Sequence, residues 1–433
     1  VSEQHIRVDY LARVEGEGAL KITVKDSQVV DLRLDIFEPP RFFEAFLRGR
    51  SFHEVVDIVA RICGICPVAY QMSAAHALEK ALAITPPPGV RSLRRLLYCG
   101  EWIESYALHV FLLHLPDFLG HESAVSMASD PALRPIVERG LRLKKIGNRL
   151  MTILGGREIH PVSVCVGGFY RAPAPSELRP LLPELEWGIE AAAQTLRWAA
   201  ALEFPAFDGR YEFVSLFHPD EYPMNEGRIV SSWGLDIAME DYEKHFRELQ
   251  VPHSNALHSV RADTGTSYMV GPLARLHFNF ERLQPEAKAL ACEVGICPPM
   301  HNPFASLLAR GVEILHALEE AHAIIREYHG IGESCSAEVT ARSGVGMHAT
   351  EAPRGLLYHR YHVGEDGTIL EAKIVPPTAQ NLRRIEDDLR HYVPSILSLP
   401  LPDATLRCEQ LVRSYDPCIS CATHFLKLEI EHV

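Results

Sequence analysis

Two Cys-x-x-Cys clips, Cys63/Cys66 and Cys418/Cys421, stand near opposite ends of a 433-residue chain. A fold in which they act together must bring the first part of the sequence against the last. Such a turn sets both sulfurs on one side, where as thiolates they can grip a metal ion. The first clip reads Arg61-Ile62-Cys63-Gly64-Ile65-Cys66-Pro67. Gly64 lets the backbone turn tightly, and Pro67 suits the first residue of a helix. A helix N-terminus there favours nearby thiolate charge. The second clip reads Asp416-Pro417-Cys418-Ile419-Ser420-Cys421-Ala422-Thr423-His424.

The clips alone also allow a structural four-thiolate zinc site, although zinc ribbons usually close loops of about 15–20 residues. Two independent redox pairs are the other plain reading. Ten cysteines in this length are too sparse for a disulfide scaffold. The remaining six, Cys99, Cys165, Cys292, Cys297, Cys335 and Cys408, read as buried reduced thiols. Cys292 and Cys297, with His301 nearby, could form a small metal site. Most histidines, His53, His76 and His322 among them, read as ordinary surface or core residues.

A hydrophobic share of 47% against 23% charged residues is globular. The net charge of −13 argues against a nucleic-acid partner. No apolar run reaches the ~18 residues of a membrane span, and Val1-Ser2-Glu3-Gln4-His5 lacks the look of a secretory signal. A cytoplasmic location is the expectation. A protein exported on a partner's signal would read the same way.

Alternation over Ala19–Lys25 and Val29–Phe37, around Asp26-Ser27-Gln28, predicts a β-hairpin within an N-terminal region 1–38. Helices are expected over Ala69–Leu82 behind Pro67, Val90–Leu115 and Ala132–Leu154. Another is expected from a Ser176 cap to Leu202, with a possible kink at Pro183. Residues 207–270 read as a mixed elaboration. Asn302-Pro303 opens a helix with Leu308, Val312, Leu315, Leu318 and Ile325 on its apolar face. A second hairpin is expected from Gly355–Val363 and Thr368–Val375, then helices near 382–393 and 404–414. The whole is an α+β fold, mainly helical: one domain over 1–433, with a long-helix bundle core and peripheral hairpins.

Together the two clips resemble the paired signatures of nickel–iron hydrogenase large subunits. Further stretches resemble the same family: Ala12-Arg13-Val14-Glu15-Gly16, Arg41-Phe42-Phe43-Glu44, Glu351-Ala352-Pro353-Arg354-Gly355 and Val375-Pro376-Pro377-Thr378-Ala379-Gln380-Asn381. The resemblance implies reversible heterolytic cleavage of dihydrogen. Cys63 and Cys418 would be terminal nickel ligands, and Cys66 and Cys421 would bridge nickel to an iron carrying carbon monoxide and cyanide. Soft thiolates suit such a pair.

By the same resemblance Glu15 relays protons and Arg354 donates hydrogen bonds to a cyanide, a task that suits a charged, rigid fork of donors. Ala352, Pro353, Leu357 and Pro377 would line the pocket, and Thr378 would bond the second cyanide. Glu44, His424 and the carbonyl of Ile374 would hold magnesium. Glu17 and Tyr70 depart from the family, standing where many relatives have histidine. The Cys-Pro-Val-Ala-Tyr run resembles the soluble, multi-subunit, NAD(P)-linked or sulfhydrogenase class. Precursors in the family are commonly cut after the last histidine, so residues 425–433 read as a cleavable tail.

The six remaining cysteines offer no iron–sulfur pattern, and no Gly-x-Gly-x-x-Gly fingerprint is present. A small iron–sulfur subunit is therefore the expected partner, with further iron–sulfur and flavin subunits reaching NAD(P). Rival readings are a regulatory dihydrogen sensor on the same centre, and a non-catalytic relative such as the quinone-binding subunit of respiratory NADH dehydrogenase. Loss of the metal in that relative should have removed the cysteines, and all four are present.

Overall fold

Helix Pro67–Leu82 starts one residue after Cys66 and runs through the middle of the molecule, with nearly every side chain buried. The computed structural model describes residues 3–332 and 334–423. His424 and the tail 425–433 lie outside them. Pro67 is the first helical residue, as its locked φ favours. Four long helices, Val90–Ala107, Arg134–Gly155, Leu182–Ala200 and Ser306–Glu327, pack on one another, and the first of them also packs against this helix. One continuous hydrophobic core runs from Ile6 to Ala422.

Three departures from the expected helices have physical reasons. The expected helix Val90–Leu115 is α-helical only to Ala107, then widens to a π-helix over Leu108–His114 and closes at Leu115–Phe118. The widened turn coincides with outside claims on its groups: Arg13 donates to the Leu113 carbonyl at 2.9 Å, and the His109 ring lies 2.8 Å from the Arg413 carbonyl. Ser176 is not a cap. It lies inside a short helix, Pro175–Leu178, and the prolines behind it divide the segment, so the long helix begins at Leu182. Helix Ser306–Glu327 buries more than one stripe, because Arg310, Glu313 and His316 are covered as well.

Both hairpins exist, and each has a third strand. Gly18–Lys25 and Gln28–Ile36 meet at Asp26-Ser27, both with positive φ, and Glu3–Val8 adds to the outer edge of Gly18–Lys25. Only Ile6 and Val8 of that edge strand are buried, too few for an alternation signal. The second sheet is Gly344–Ala352, Gly355–Val363 and Ile369–Val375, all antiparallel. Its first strand lies on helix Pro67–Leu82, where a Cβ at Gly346 would come within 2.0 Å of the Ala77 carbonyl. A strand with glycine at such points reads poorly from sequence.

Within residues 207–270 a three-stranded sheet (Val214–Phe217, Arg228–Ser231, Asp236–Ile237) and a two-stranded ribbon (Phe246–Leu249, His258–Arg261) form the mixed elaboration. With Leu356, Tyr358 and Val375 they enclose a second, smaller hydrophobic cluster. The elaboration thus backs the sheet that carries Arg354. Helices Pro377–Ile396 and Leu401–Ser414 then lead to the second clip.

Candidate metal centre

The fold brings the two clips together in a closed chamber. Sγ of Cys63 lies 3.6 Å from Sγ of Cys418, and Sγ of Cys66 lies 3.7 Å from Sγ of Cys421. All four sulfurs fall within 4.8 Å of one another. The four residues are 3%, 4%, 0% and 2% exposed in the order Cys63, Cys66, Cys418, Cys421. All ten cysteines are free thiols.

The first clip is built locally. The backbone N–H groups of Ile65 and Cys66 donate to Sγ of Cys63 at 3.3 and 3.1 Å. Behind it, the Glu101 carboxyl accepts from the N–H groups of Val68 and Ala69 at 2.6 and 3.1 Å, capping the helix that Pro67 opens. The second clip is held from outside. The Cys418 N–H donates to Thr378 Oγ1 at 3.0 Å, and the Ile419 N–H donates to the Glu15 carbonyl at 2.8 Å. Arg41 spans both: its Nη2 donates to the Ile62 carbonyl at 2.7 Å and also to the Ser420 carbonyl.

Glu15 lies at the sulfurs. Its Oε2 accepts from Sγ of Cys418 at 3.0 Å and from the Ser420 N–H at 3.1 Å. Gly16, at φ +89°, permits this approach, since a Cβ there would collide with Ile419, Ser420 and Glu38. Ser420 Oγ in turn donates to half-exposed Glu38.

Arg354 sits in the two-residue turn that joins Ala352 to Gly355. Its Nε donates to the Asp416 carbonyl at 2.7 Å and its Nη2 to Asp416 Oδ1 at 3.1 Å. Its Nη1 is buried without a partner. Burial alone would lower the arginine's pKa, but Asp416 and the thiols beside it raise it well above the ordinary value. Asp416 reaches this position with φ +51°, a conformation aspartate tolerates better than most residues.

The turn itself is clamped by groups that no motif announced. Arg275 donates to the carbonyls of Ala352 and Pro353, both at 3.0 Å, and to Glu351 Oε2 at 2.9 Å. It also donates to Glu313, at 2.7 and 2.9 Å, and to the Tyr106 hydroxyl. Trp102 and Tyr106 donate to the carbonyls of Glu351 and Pro353. Glu351 and Asp416 stood inside the sequence motifs without a role; Arg275 and Glu313 had no signal beyond being charged.

Ala352, Pro353, Leu357, Pro377 and Thr378 are all buried. Tyr70 is buried with an unpartnered hydroxyl, and burial together with the thiols pushes its pKa well up. Glu44 lies away from the sulfurs, accepting from the Ile374 N–H at 2.7 Å, and burial pushes it up to about 7. His424 lies outside the described residues. Cys292 and Cys297 are exposed rather than buried, Cys165 and Cys335 are half-buried, and neither Cys292 nor Cys297 joins His301 in a metal-capable group among the described residues. One group not foreseen, His253, His258 and Glu386, does form.

The chamber fits a soft cation. Burial disfavours every thiolate, yet hydrogen bonds from Cys418, Cys421 and Cys66 hold Cys63 well below the usual thiol range. Burial instead pushes Cys66 and Cys418 well above it. All four ionise together only when a cation shares the space. The orphaned Nη1 of Arg354 is a spare donor for an anionic ligand beside them.

The sequence profile of the family described as nickel-dependent hydrogenase matches residues 41–134 and 262–424, which contain both clips, Glu44 and Arg354. The chain belongs to the nickel-dependent hydrogenase family. It is 35% identical over 426 residues to sulfhydrogenase 1 subunit alpha of Pyrococcus furiosus, covering 98% of each chain. It is also 35% identical to that organism's sulfhydrogenase 2 subunit alpha, over 98% of this chain and 100% of the relative. Among solved structures, an NAD+-reducing [NiFe]-hydrogenase in its H2-reduced state superposes with a TM-score of 0.88 at 28% identity, covering 97% of this chain and 99% of the other. A [NiFeSe]-hydrogenase of Dm. baculatum shares the fold, at a TM-score of 0.79 and 22% identity over 98% of this chain and 100% of that one. The hydrogenase fold is α+β with helices predominant, as the sequence implied, and its four-cysteine group is able to bind the metal centre. This is a catalytic hydrogenase subunit. Among the described residues no helix is long and apolar enough to cross a membrane.

Proposed function

We propose that this hydrogenase subunit cleaves dihydrogen heterolytically and reversibly in the four-cysteine chamber, with Glu15 as the proton relay. The observation that carries the reading is the Cys418 Sγ–Glu15 Oε2 hydrogen bond, 3.0 Å long, at the edge of four sealed thiols. Cys63 and Cys418 would hold nickel alone, and Cys66 and Cys421 would bridge it to iron bearing carbon monoxide and cyanide. When bound, this group supplies Lewis-acid and two-electron redox chemistry.

The chain's own residues do the rest. Glu15 takes the proton at Sγ of Cys418, within the reach that proton transfer needs. The Ser420 N–H holds the same Glu15 oxygen, and the Ser420 hydroxyl bonds half-exposed Glu38. Arg354 offers its free Nη1 to a cyanide. Thr378 Oγ1, already accepting from the Cys418 N–H, keeps its own proton to donate to the second cyanide. Ala352, Pro353, Leu357 and Pro377 keep water out, which strengthens each of these interactions. Glu44, the Ile374 carbonyl and His424 would hold magnesium; Glu44 and Ile374 are already adjacent.

Electrons must leave through a partner. Among the described residues, no metal-capable group contains any of the other six cysteines. A small iron–sulfur subunit would receive them, with further iron–sulfur and flavin subunits passing them to or from NAD(P), in the cytoplasm. The match to an NAD+-reducing hydrogenase supports that acceptor.

The test uses the purified complex under dihydrogen. Nickel-dependent NAD(P) reduction and dihydrogen isotope exchange should both occur. Isotope exchange without NAD(P) reduction would favour the regulatory sensor.

A further inference from the structure

His253, His258 and Glu386 come together away from the cysteine chamber, and their ligand atoms lie within 4.8 Å of one another. They arrive from separate places. His253 is in the loop after strand Phe246–Leu249, His258 opens strand His258–Arg261, and Glu386 projects from helix Pro377–Ile396. Nε2 of His253 lies 2.7 Å from Glu386 Oε1. Nδ1 of His258 faces Oε2 of the same carboxylate at 3.9 Å, too far for a hydrogen bond. The His258 residue is 1% exposed, and neither of its ring nitrogens has a hydrogen-bond partner. Buried imidazole nitrogens are normally paired. This one is aimed at a carboxylate it cannot reach.

We infer that His253, His258 and Glu386 form a second metal site, for a divalent first-row transition ion of the zinc or iron(II) kind. Two imidazoles and one carboxylate are a donor set such ions prefer, while magnesium and calcium favour oxygen. An ion between the three would satisfy the stranded His258 nitrogen and the second carboxylate oxygen at once. It would replace the His253–Glu386 hydrogen bond with two metal bonds. The site is oriented from outside the set: the Leu34 N–H donates to Glu386 Oε1 at 3.0 Å, as supporting groups do around metal ligands. The His253 side chain remains 20% exposed, which gives the ion a way in and leaves room for water as a further ligand.

The role is that of a staple. The ion ties the elaboration to helix Pro377–Ile396, and through Leu34 to the N-terminal sheet. The same helix carries Thr378, which positions Cys418. None of the three residues touches the cysteine sulfurs.

The test is elemental analysis of the nickel-loaded complex, as purified and after incubation with a zinc salt followed by gel filtration. After that incubation the wild type should carry about one zinc per nickel. X-ray absorption at the zinc edge should show imidazole and oxygen ligands without sulfur, which separates it from the cysteine centre. His258→Ala should lose the additional metal with nickel content unchanged. Should that buried change prevent folding, His253→Gln, at the exposed side, should show the same loss. No additional metal in the wild type, or metal retained equally in both variants, overturns the proposal.

Discussion

The two cysteine clips perform the same task on different foundations. Cys63 and Cys66 are set by their own neighbours: backbone N–H groups of the clip converge on Sγ of Cys63, and the helix behind starts at Pro67. Cys418 and Cys421 depend on segments remote in sequence, with Glu15 and Thr378 holding the backbone and Arg354 gripping Asp416. A local clip keeps its shape wherever it is placed. A borrowed one is correct only after the chain has closed on itself, so the second clip reports whether the whole fold is in place. It is also the clip next to Glu15, the proposed proton relay.

That contrast can be broken at the sulfurs themselves, where the clips should be equal. Cys421→Ser and Cys66→Ser should each abolish dihydrogen activity and nickel retention, since a hydroxyl is a poor replacement for a soft bridging thiolate. Nickel analysis and isotope exchange read the outcome; full activity in Cys421→Ser would exclude a bridging role. The next effect separates the clips. Glu15→Gln keeps the size and the backbone bond to Ile419 but removes the titrating group, and should slow turnover by about 10²–10⁴-fold. Nickel content and metal spectra should stay nearly unchanged. Turnover at the wild-type rate would move the relay elsewhere.

The same difference explains what the sequence revealed. The clip spacing and Pro67 as a helix start were legible because each rests on residue type and short spacing, whereas Glu15 and Arg354 were singled out only by resemblance to a family. The helices around them followed from apolar period and Asn/Pro starts. Arg275 and Glu313 were not legible, since a buried arginine among carboxylates looks like any surface charge until the tertiary fold surrounds it. The strand Gly344–Ala352 was hidden because glycines at its close approach to the central helix weaken the β pattern. Ser176 misled because a good capping residue was outcompeted by the proline just before it. The His253–His258–Glu386 group was invisible because its third member lies over a hundred positions away.

Two smaller effects sharpen the contrast. Among the described residues Arg41 is the one side chain that bonds to carbonyls of both clips, so Arg41→Met should destabilise the protein by about 1.5–3 kcal/mol, the usual worth of charge-assisted bonds. It should also lower nickel retention. Denaturant unfolding and nickel analysis check both. Glu101→Gln touches only the first clip's helix. Burial pushes the Glu101 pKa well up, and glutamine keeps the shape and one accepting oxygen for the Val68 and Ala69 N–H groups. The change should cost less than about 2 kcal/mol, the upper end for losing a cap, and leave nickel content alone. A nickel loss in Glu101→Gln as large as in Arg41→Met would show that the first clip is not self-sufficient.

The central claim is that the closed chamber holds nickel and iron with carbon monoxide and cyanide, one cyanide taking the spare donor of Arg354. An infrared spectrum of the purified, nickel-replete protein tests it directly, because metal-bound carbon monoxide and cyanide absorb where protein is almost silent. The account predicts distinct bands for both ligand types, with a cyanide band that moves in Arg354→Lys. A spectrum blank in that window, from protein with its full nickel content, would contradict it.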